Sequence, residues 1–258
     1  MNKILCCAFL FFSFHYSKAQ NSGTGKPVEE PDKILKTEMN LLYYNRDYLR
    51  LSEDFTAYNR TSQIISREKF FELFASGEYL PLRLLSKDGG NYYKLYKVNA
   101  LVDIDILTTL KQWGELDYKY FKMEGKPLPG FNFTDLNGKV YNPKTTKGKI
   151  VIIKCWFLAC AACNEEIPQL NQLVDYYKNR KDIVFVSLAF DPKKKLEAFM
   201  KKKTFKYAIA PVKESYIEKE LNIQQYPTHL IINKQGLIAK VVNDPNELTT
   251  ALNTEASK

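Results

Sequence analysis

The chain has 258 residues, room for one large or two small domains, and its 45% hydrophobic and 14% aromatic content supports a sizeable core. Its net charge of +9 gathers in part in the lysine runs 193–195 and 201–203. These bracket Leu196, Phe199 and Met200 without an interleaved aromatic platform, so they read as a solvated helix face, and no nucleic-acid partner is expected.

The first residues are a leader. Asn2-Lys3, an apolar run from Ile4 to Phe14, and Ser17-Lys18-Ala19 before Gln20 have the anatomy of a secretory signal peptide. Cleavage is expected after Ala19, with export to the periplasm. Cys6 and Cys7 lie too early, ahead of most of the apolar run, for lipoprotein anchoring to be the better reading. Losing Lys3 and Lys18 takes the net charge from +9 to +7 and leaves three cysteines and one histidine, His229. No later stretch approaches the roughly 20 apolar residues of a membrane span, so no transmembrane helix is expected in the mature chain.

Residues 20 to about 32, with Gly23, Gly25 and Pro27 among polar residues, read as a flexible leader. Apolar positions at Ile34, Leu35, Met39, Leu42 and Tyr43 predict one helix over 32–48. A second is predicted from Arg67 to Ser76, with Ser66 as cap, Phe70, Phe71 and Phe74 as its stripe, and Gly77 as its stop. The runs 79–85 and 92–98, separated by Lys87-Asp88-Gly89-Gly90-Asn91, predict a β-hairpin, with Pro81 placing the first strand at an edge. A further helix is predicted over 103–121. This α+β region, 20–122, has no Cys or His and no recognisable chemistry.

A polar segment with Gly125 and Pro127 marks a boundary, and a second domain is expected over 123–258. Phe131–Thr134 and Lys139–Tyr141 suggest a hairpin. Residues 149–157 form a nearly continuous apolar run, as a central strand covered on both faces requires. A helix is expected from Cys163 to Lys178, kinked by Pro168. Then come a strand over 183–190, the lysine-rich helix over 193–203, a short strand at 207–210, a helix at 214–221, two strands at 228–232 and 237–242, and a terminal helix from about Pro245. Strands alternating with helices indicate an α/β layer fold.

Cys160-Ala161-Ala162-Cys163 stands where the central strand runs into a helix. Helix N-termini stabilise thiolates through unpaired N–H groups and the dipole, which suits electron exchange. A structural staple is a second reading in an oxidising compartment, although so short a loop constrains the unfolded chain little. Half a zinc site is a third, but the mature chain offers few further ligands. Cys155, inside the strand, reads as a small apolar residue. A lone histidine such as His229 reads as structural.

Taken together, strand, Cys-x-x-Cys, helix and a distant Tyr226-Pro227-Thr228 before a hairpin are what thioredoxin-fold proteins show. More narrowly, residues from about Lys126 onward resemble the TlpA/ResA-like family of exported thiol–disulfide oxidoreductases. The matching residues are Pro127 to Phe133, Asn137-Gly138-Lys139, Lys147-Gly148-Lys149, Trp156, Cys160, Cys163, Glu166, Pro168, and Pro227-Thr228 ahead of Ile231 to Gly236.

The resemblance implies a central mixed sheet flanked by helices, preceded here by the smaller α+β region. It implies Cys160 as the attacking and Cys163 as the resolving cysteine, a cis Pro227, and a Tyr226 backbone free to pair with a substrate strand. Trp156, Tyr226 and Thr228 would contact substrate, and Glu166 would shuttle a proton or tune thiol acidity. The implied activity is exchange with protein thiols and disulfides, in the reducing direction, fed by an unidentified electron donor, with no metal and no cofactor beyond the Cys160–Cys163 pair.

Three departures stand out. Ala159 replaces the family's usual aromatic, Ala161-Ala162 replaces a pair that usually includes proline, and Lys154 occupies a strand position where thioredoxins place a buried acid. Lys154 is expected to lower a cysteine's pKa or to pair with Glu166, unless it snorkels to solvent. Two other functions compete. A thiol peroxidase would form a sulfenic acid at Cys160, but lacks the Pro and Thr that usually precede such a cysteine. A copper carrier would use Cys160, Cys163 and His229.

Overall fold

The computed structural model describes residues 25–258, so the signal peptide, its cleavage after Ala19, and Cys6 and Cys7 lie outside the described residues. The N-terminal part contains α1 (Pro31–Ile34), α2 (Glu38–Tyr48), β1 (Thr56–Tyr58), β2 (Ile64–Ile65), α3 (Arg67–Ala75), β3 (Tyr79–Arg83), β4 (Tyr92–Lys97) and α4 (Ile104–Met123). Its sheet runs β2-β1-β4-β3, with β1 parallel to β4 and the other pairs antiparallel.

The hairpin and the edge position of Pro81 are as expected, but the single helix over 32–48 is two. Thr37 is extended and its hydroxyl accepts from the Asn40 N–H at 3.1 Å, capping a new start. The break resets the helical phase. Ile34, Leu41 and Tyr44 face inward, while Met39, Leu42 and Tyr43 are exposed. Part of the expected leader is also structured. Gly25 N–H donates to Leu85 O at 2.8 Å and Val28 N–H to Arg83 O at 2.9 Å, covering the free edge of β3.

The five-stranded sheet of the C-terminal half has the order β11-β10-β7-β8-β9. Its strands are β7 (Ile150–Trp156), β8 (Ile183–Ala189), β9 (Ala208–Pro211), β10 (Thr228–Ile232) and β11 (Ile238–Val242); a small hairpin, β5 (Phe133–Thr134) with β6 (Val140–Tyr141), precedes them. β7, β8 and β9 are parallel, and β10 is antiparallel to both β7 and β11. The flanking helices are α5 (Ala161–Glu165), α6 (Ile167–Tyr176), α7 (Lys193–Met200) and α8 (Pro245–Ala256), with a π-helical turn at Tyr216–Glu220. This central mixed sheet with flanking helices is a thioredoxin-like architecture.

Every residue of β7 is buried, and its side chains alternate between two cores. Ile150, Ile152 and Trp156 pack with α6 and α8, whereas Val151, Ile153 and Cys155 face the layer that includes Tyr120 of α4. The helix expected from Cys163 to Lys178 starts earlier, at Ala161, and divides at Glu166. Pro168 is the cause: its ring is tolerated in the first turn of a fresh helix, where its missing N–H removes no hydrogen bond.

Candidate active site

β7 delivers its C-terminal end to the site, and the loop 157–160 turns it into α5. Cys160 is the N-cap: its backbone is extended, and its sulfur accepts the Cys163 N–H at 3.2 Å. The two cysteines form a disulfide with Cα atoms 5.3 Å apart. Cys163 has no exposed surface and Cys160 has 8%. Asn164 secures the turn, its amide donating to the carbonyls of Leu158 at 2.9 Å and Cys160 at 2.8 Å, while Leu158 N–H donates to the Asp191 carboxylate at 2.7 Å.

Tyr226 comes from the loop before β10, and the Tyr226–Pro227 peptide bond is cis. Its half-buried ring stands edge-on to Phe157 with centroids 5.4 Å apart, and Phe157 stacks on Phe190 at 5.1 Å. An aromatic cluster thus flanks the cysteine turn. Phe157 and Phe190 directly follow β7 and β8, a juxtaposition that exists only once those strands are paired.

Beneath the disulfide lies a buried charge array. Lys154 and His229 are directly opposite each other on β7 and β10, and both are fully buried. Lys154 Nζ contacts Glu166 Oε1 and donates to the Cys163 carbonyl at 2.8 Å. The second carboxylate oxygen of Glu166 meets His229 Nε2 at 3.2 Å. Lys154 does not snorkel; it takes the paired alternative.

Burial pushes the Lys154 ammonium below its ordinary pKa, against the opposing pull of Glu166. Burial alone would raise the Glu166 carboxyl, but the His229 contact and the Lys154 charge overcome it, and Glu166 lies below the usual carboxylate range. The buried pair is therefore an ion pair in which each member depends on the other. His229, read as structural in the sequence, is a partner of this carboxylate. Its position opposite Lys154 depends on the β7–β10 register, which no local pattern encodes.

The other expected site residues separate by exposure. Trp156 is fully buried, its ring packed 5.4 Å from Phe199 and 5.6 Å from Phe205 by centroid. Thr228 is fully buried too, and its hydroxyl donates to Gln225 O at 2.6 Å. Both point inward because their strands are covered on that face; of the three, only Tyr226 keeps exposed surface. Cys155, opposite Thr228 in the ladder, is a free thiol whose pKa burial pushes up to about 12, which makes it inert. Among the described residues no group of three His, Cys, Asp or Glu side chains could hold a metal ion.

The model of the AhpC/TSA family matches residues 125–241. The thiol–disulfide oxidoreductase ResA of Bacillus thuringiensis subsp. konkukian (strain 97-27) is 32% identical over 122 residues, which are 47% of this chain and 70% of that protein. The C-terminal half of the chain belongs to the ResA-like thiol–disulfide oxidoreductases. Another relative of this ResA-like domain, the thioredoxin-like protein YneN of Bacillus subtilis (strain 168), is 28% identical over 120 residues, covering 46% of this chain and 70% of its own. Among solved structures, a thiol:disulfide interchange protein from Chlorobium tepidum TLS superposes with a TM-score of 0.43 at 21% identity, over 50% of this chain and 95% of that one. Among the described residues no helix is long and apolar enough to cross a membrane.

Proposed function

We propose that the chain is an exported oxidoreductase that reduces protein disulfides through Cys160 and Cys163. The observation that carries this reading is the asymmetry of the pair: one cysteine caps a helix and keeps 8% of its surface exposed, and the other has none. In the reduced enzyme the Cys160 thiolate attacks a substrate disulfide, forming a mixed disulfide and releasing one substrate thiolate, which takes up a proton. Cys163 then gives up its proton, and its thiolate attacks the Cys160 sulfur. The second substrate thiolate leaves, and the Cys160–Cys163 disulfide returns. A dithiol donor recharges the pair.

Lys154, held on the Cys163 carbonyl, would stabilise negative charge at the cysteine pair, and Glu166 would hold Lys154 there. The Tyr226 backbone would align the substrate strand. Trp156 and Thr228 would support the site from within.

The test is to express residues 20–258 with Cys163→Ser and identify proteins trapped on Cys160, with Cys160→Ser as the control. Trapped exported proteins, and wild-type reduction of insulin disulfides, are the expected results. An absence of both would end the reading, and hydrogen peroxide turnover without disulfide reduction would replace it with a peroxidase.

A further inference from the structure

The N-terminal region meets the ResA-like domain through α4, a helix that serves two cores. Ile106 and Leu110, early in α4, belong to the N-terminal core, whereas Tyr120, near its end, is buried in the core beneath β7. The chain leaving α4 is then laced to β11: Gly125 N–H donates to Ile238 O at 2.8 Å, and Ile238 N–H returns to Lys126 O at 2.8 Å. Lys240 on β11 holds both carboxylate oxygens of Glu124 at 3.1 Å. The end of α4 is thereby fixed against the sheet.

What that fixed end touches is the loop of the cis proline. Tyr120 is 5% exposed, and its hydroxyl lies 3.2 Å from Thr228 Oγ1. A threonine hydroxyl has one proton to donate and two lone pairs to accept with. Here the proton goes to the Gln225 carbonyl at 2.6 Å, and one lone pair takes the Asn243 amide at 2.7 Å. The remaining lone pair faces Tyr120, so the tyrosine O–H is the donor that completes the set. Asn243 also donates to the Pro227 carbonyl at 2.7 Å. The segment Gln225–Thr228 is thus tied down from behind, and one of its ties comes from the N-terminal region.

We propose that the N-terminal region braces the substrate-pairing loop of the redox site and that Tyr120 is the positioning residue through which it does so. This rests on the disulfide-exchange reading, in which the Tyr226 backbone aligns substrate. Tyr120 acts on the loop and not on the sulfurs, so it governs how well a protein disulfide is held while leaving thiol acidity alone.

Hydrogen exchange and kinetics on residues 20–258 test the brace, using wild type, Tyr120→Phe, Thr228→Val and the double variant. Tyr120→Phe keeps the ring and its packing. We expect it to speed amide exchange in 224–229 by about tenfold, the effect of one hydrogen bond of ordinary net strength, with exchange in β7 and β8 unchanged. KM for a protein disulfide should rise several-fold at constant kcat, with the Cys160 thiolate pH profile unaltered. In the Thr228→Val background Tyr120→Phe should add nothing. Wild-type exchange rates in Tyr120→Phe, or an equal effect of that change with and without the Thr228 hydroxyl, would overturn the proposal. Because loop exchange is read without turnover, an inactive wild type would end the functional reading and still leave the brace to be decided.

Discussion

The two halves of the molecule bury different things. The core of the N-terminal region is aliphatic and aromatic, built on Phe70, Phe74, Leu80, Tyr93 and Leu95, and every buried polar or charged residue described lies beyond residue 134. In the ResA-like half the interior holds Lys154, Glu166, Thr228 and His229, gathered behind the cysteine turn. Burying an ion is costly unless it is paired and hydrogen-bonded, and an apolar pair of similar volume often serves stability as well. Charge retained beneath a disulfide therefore points to chemistry, and its absence from the other half points to a scaffold.

The largest effect should come from breaking the buried pair. Lys154→Met leaves the Glu166 carboxylate with His229 alone, and loss of one partner of a buried ion pair costs about 3–5 kcal/mol. Urea unfolding would read it, and Lys154→Met with Glu166→Gln should recover most of the loss. The same single variant tests chemistry: the Cys160 thiolate should titrate at higher pH, and an unchanged titration would show that Lys154 serves only stability. An equally buried N-terminal change should damage the fold without touching the thiols. Gly114 of α4 is the place, because a Cβ there would lie 2.4 Å from the Phe74 carbonyl oxygen on α3. Gly114→Ala forces the helices apart at about 1–3 kcal/mol, the cost of overpacking, and should leave the thiol pH profile where it was.

A subtler difference lies in the cavity of about 210 Å³ between the halves, lined by Asp117 and Tyr120 of α4 on one side and by Gln225, Asn243 and Glu247 on the other. Asp117 is half-buried, and desolvation in this cavity, with the nearby Glu247 charge, raises its carboxyl to about 8. An acid with a raised folded pKa holds its proton longer in the fold than in the unfolded chain, so stability declines as pH rises from about 4 towards 8. Glu166 has the opposite sign: its pKa is lowered, so its contribution is present above the unfolded carboxylate pKa and is lost on acidification. Urea midpoints measured between pH 5 and pH 8 should fall less for Asp117→Asn than for wild type. Parallel curves would place Asp117 in water.

Much of this was legible in one dimension. The apolar run of β7, the Ser66 cap and the Phe70/Phe71/Phe74 stripe of α3, and the position of Cys160 at a helix start all follow from local patterns. What was not legible depends on pairing between distant segments. β1 is three residues long and β2 two, too short for alternation to register. His229 gains its meaning from standing across a ladder from Lys154, and Tyr120 from reaching a loop 108 residues away. The split of the helix over 32–48 was hidden because the apolar spacing from Ile34 to Tyr43 suits one continuous helix, and the cap preference of Thr37 carries less weight than that pattern.

The smallest effect sharpens the comparison within the ResA-like half itself. Cys155 and Cys160 are five residues apart, yet one is sealed in a strand with its thiol pushed up to about 12, and the other caps a helix and keeps 8% of its surface exposed. Reactivity follows the thiolate, and thiolate follows environment. After reduction under native conditions, iodoacetamide at pH 8 should therefore modify Cys160 rapidly and leave Cys155 untouched on the same timescale; mass mapping of the alkylated peptides distinguishes the two. Cys155→Ala should leave disulfide exchange at the wild-type rate. Rapid labelling of Cys155 in the folded protein would mean that the strand opens, and the contrast between a sealed thiol and a working one would fail.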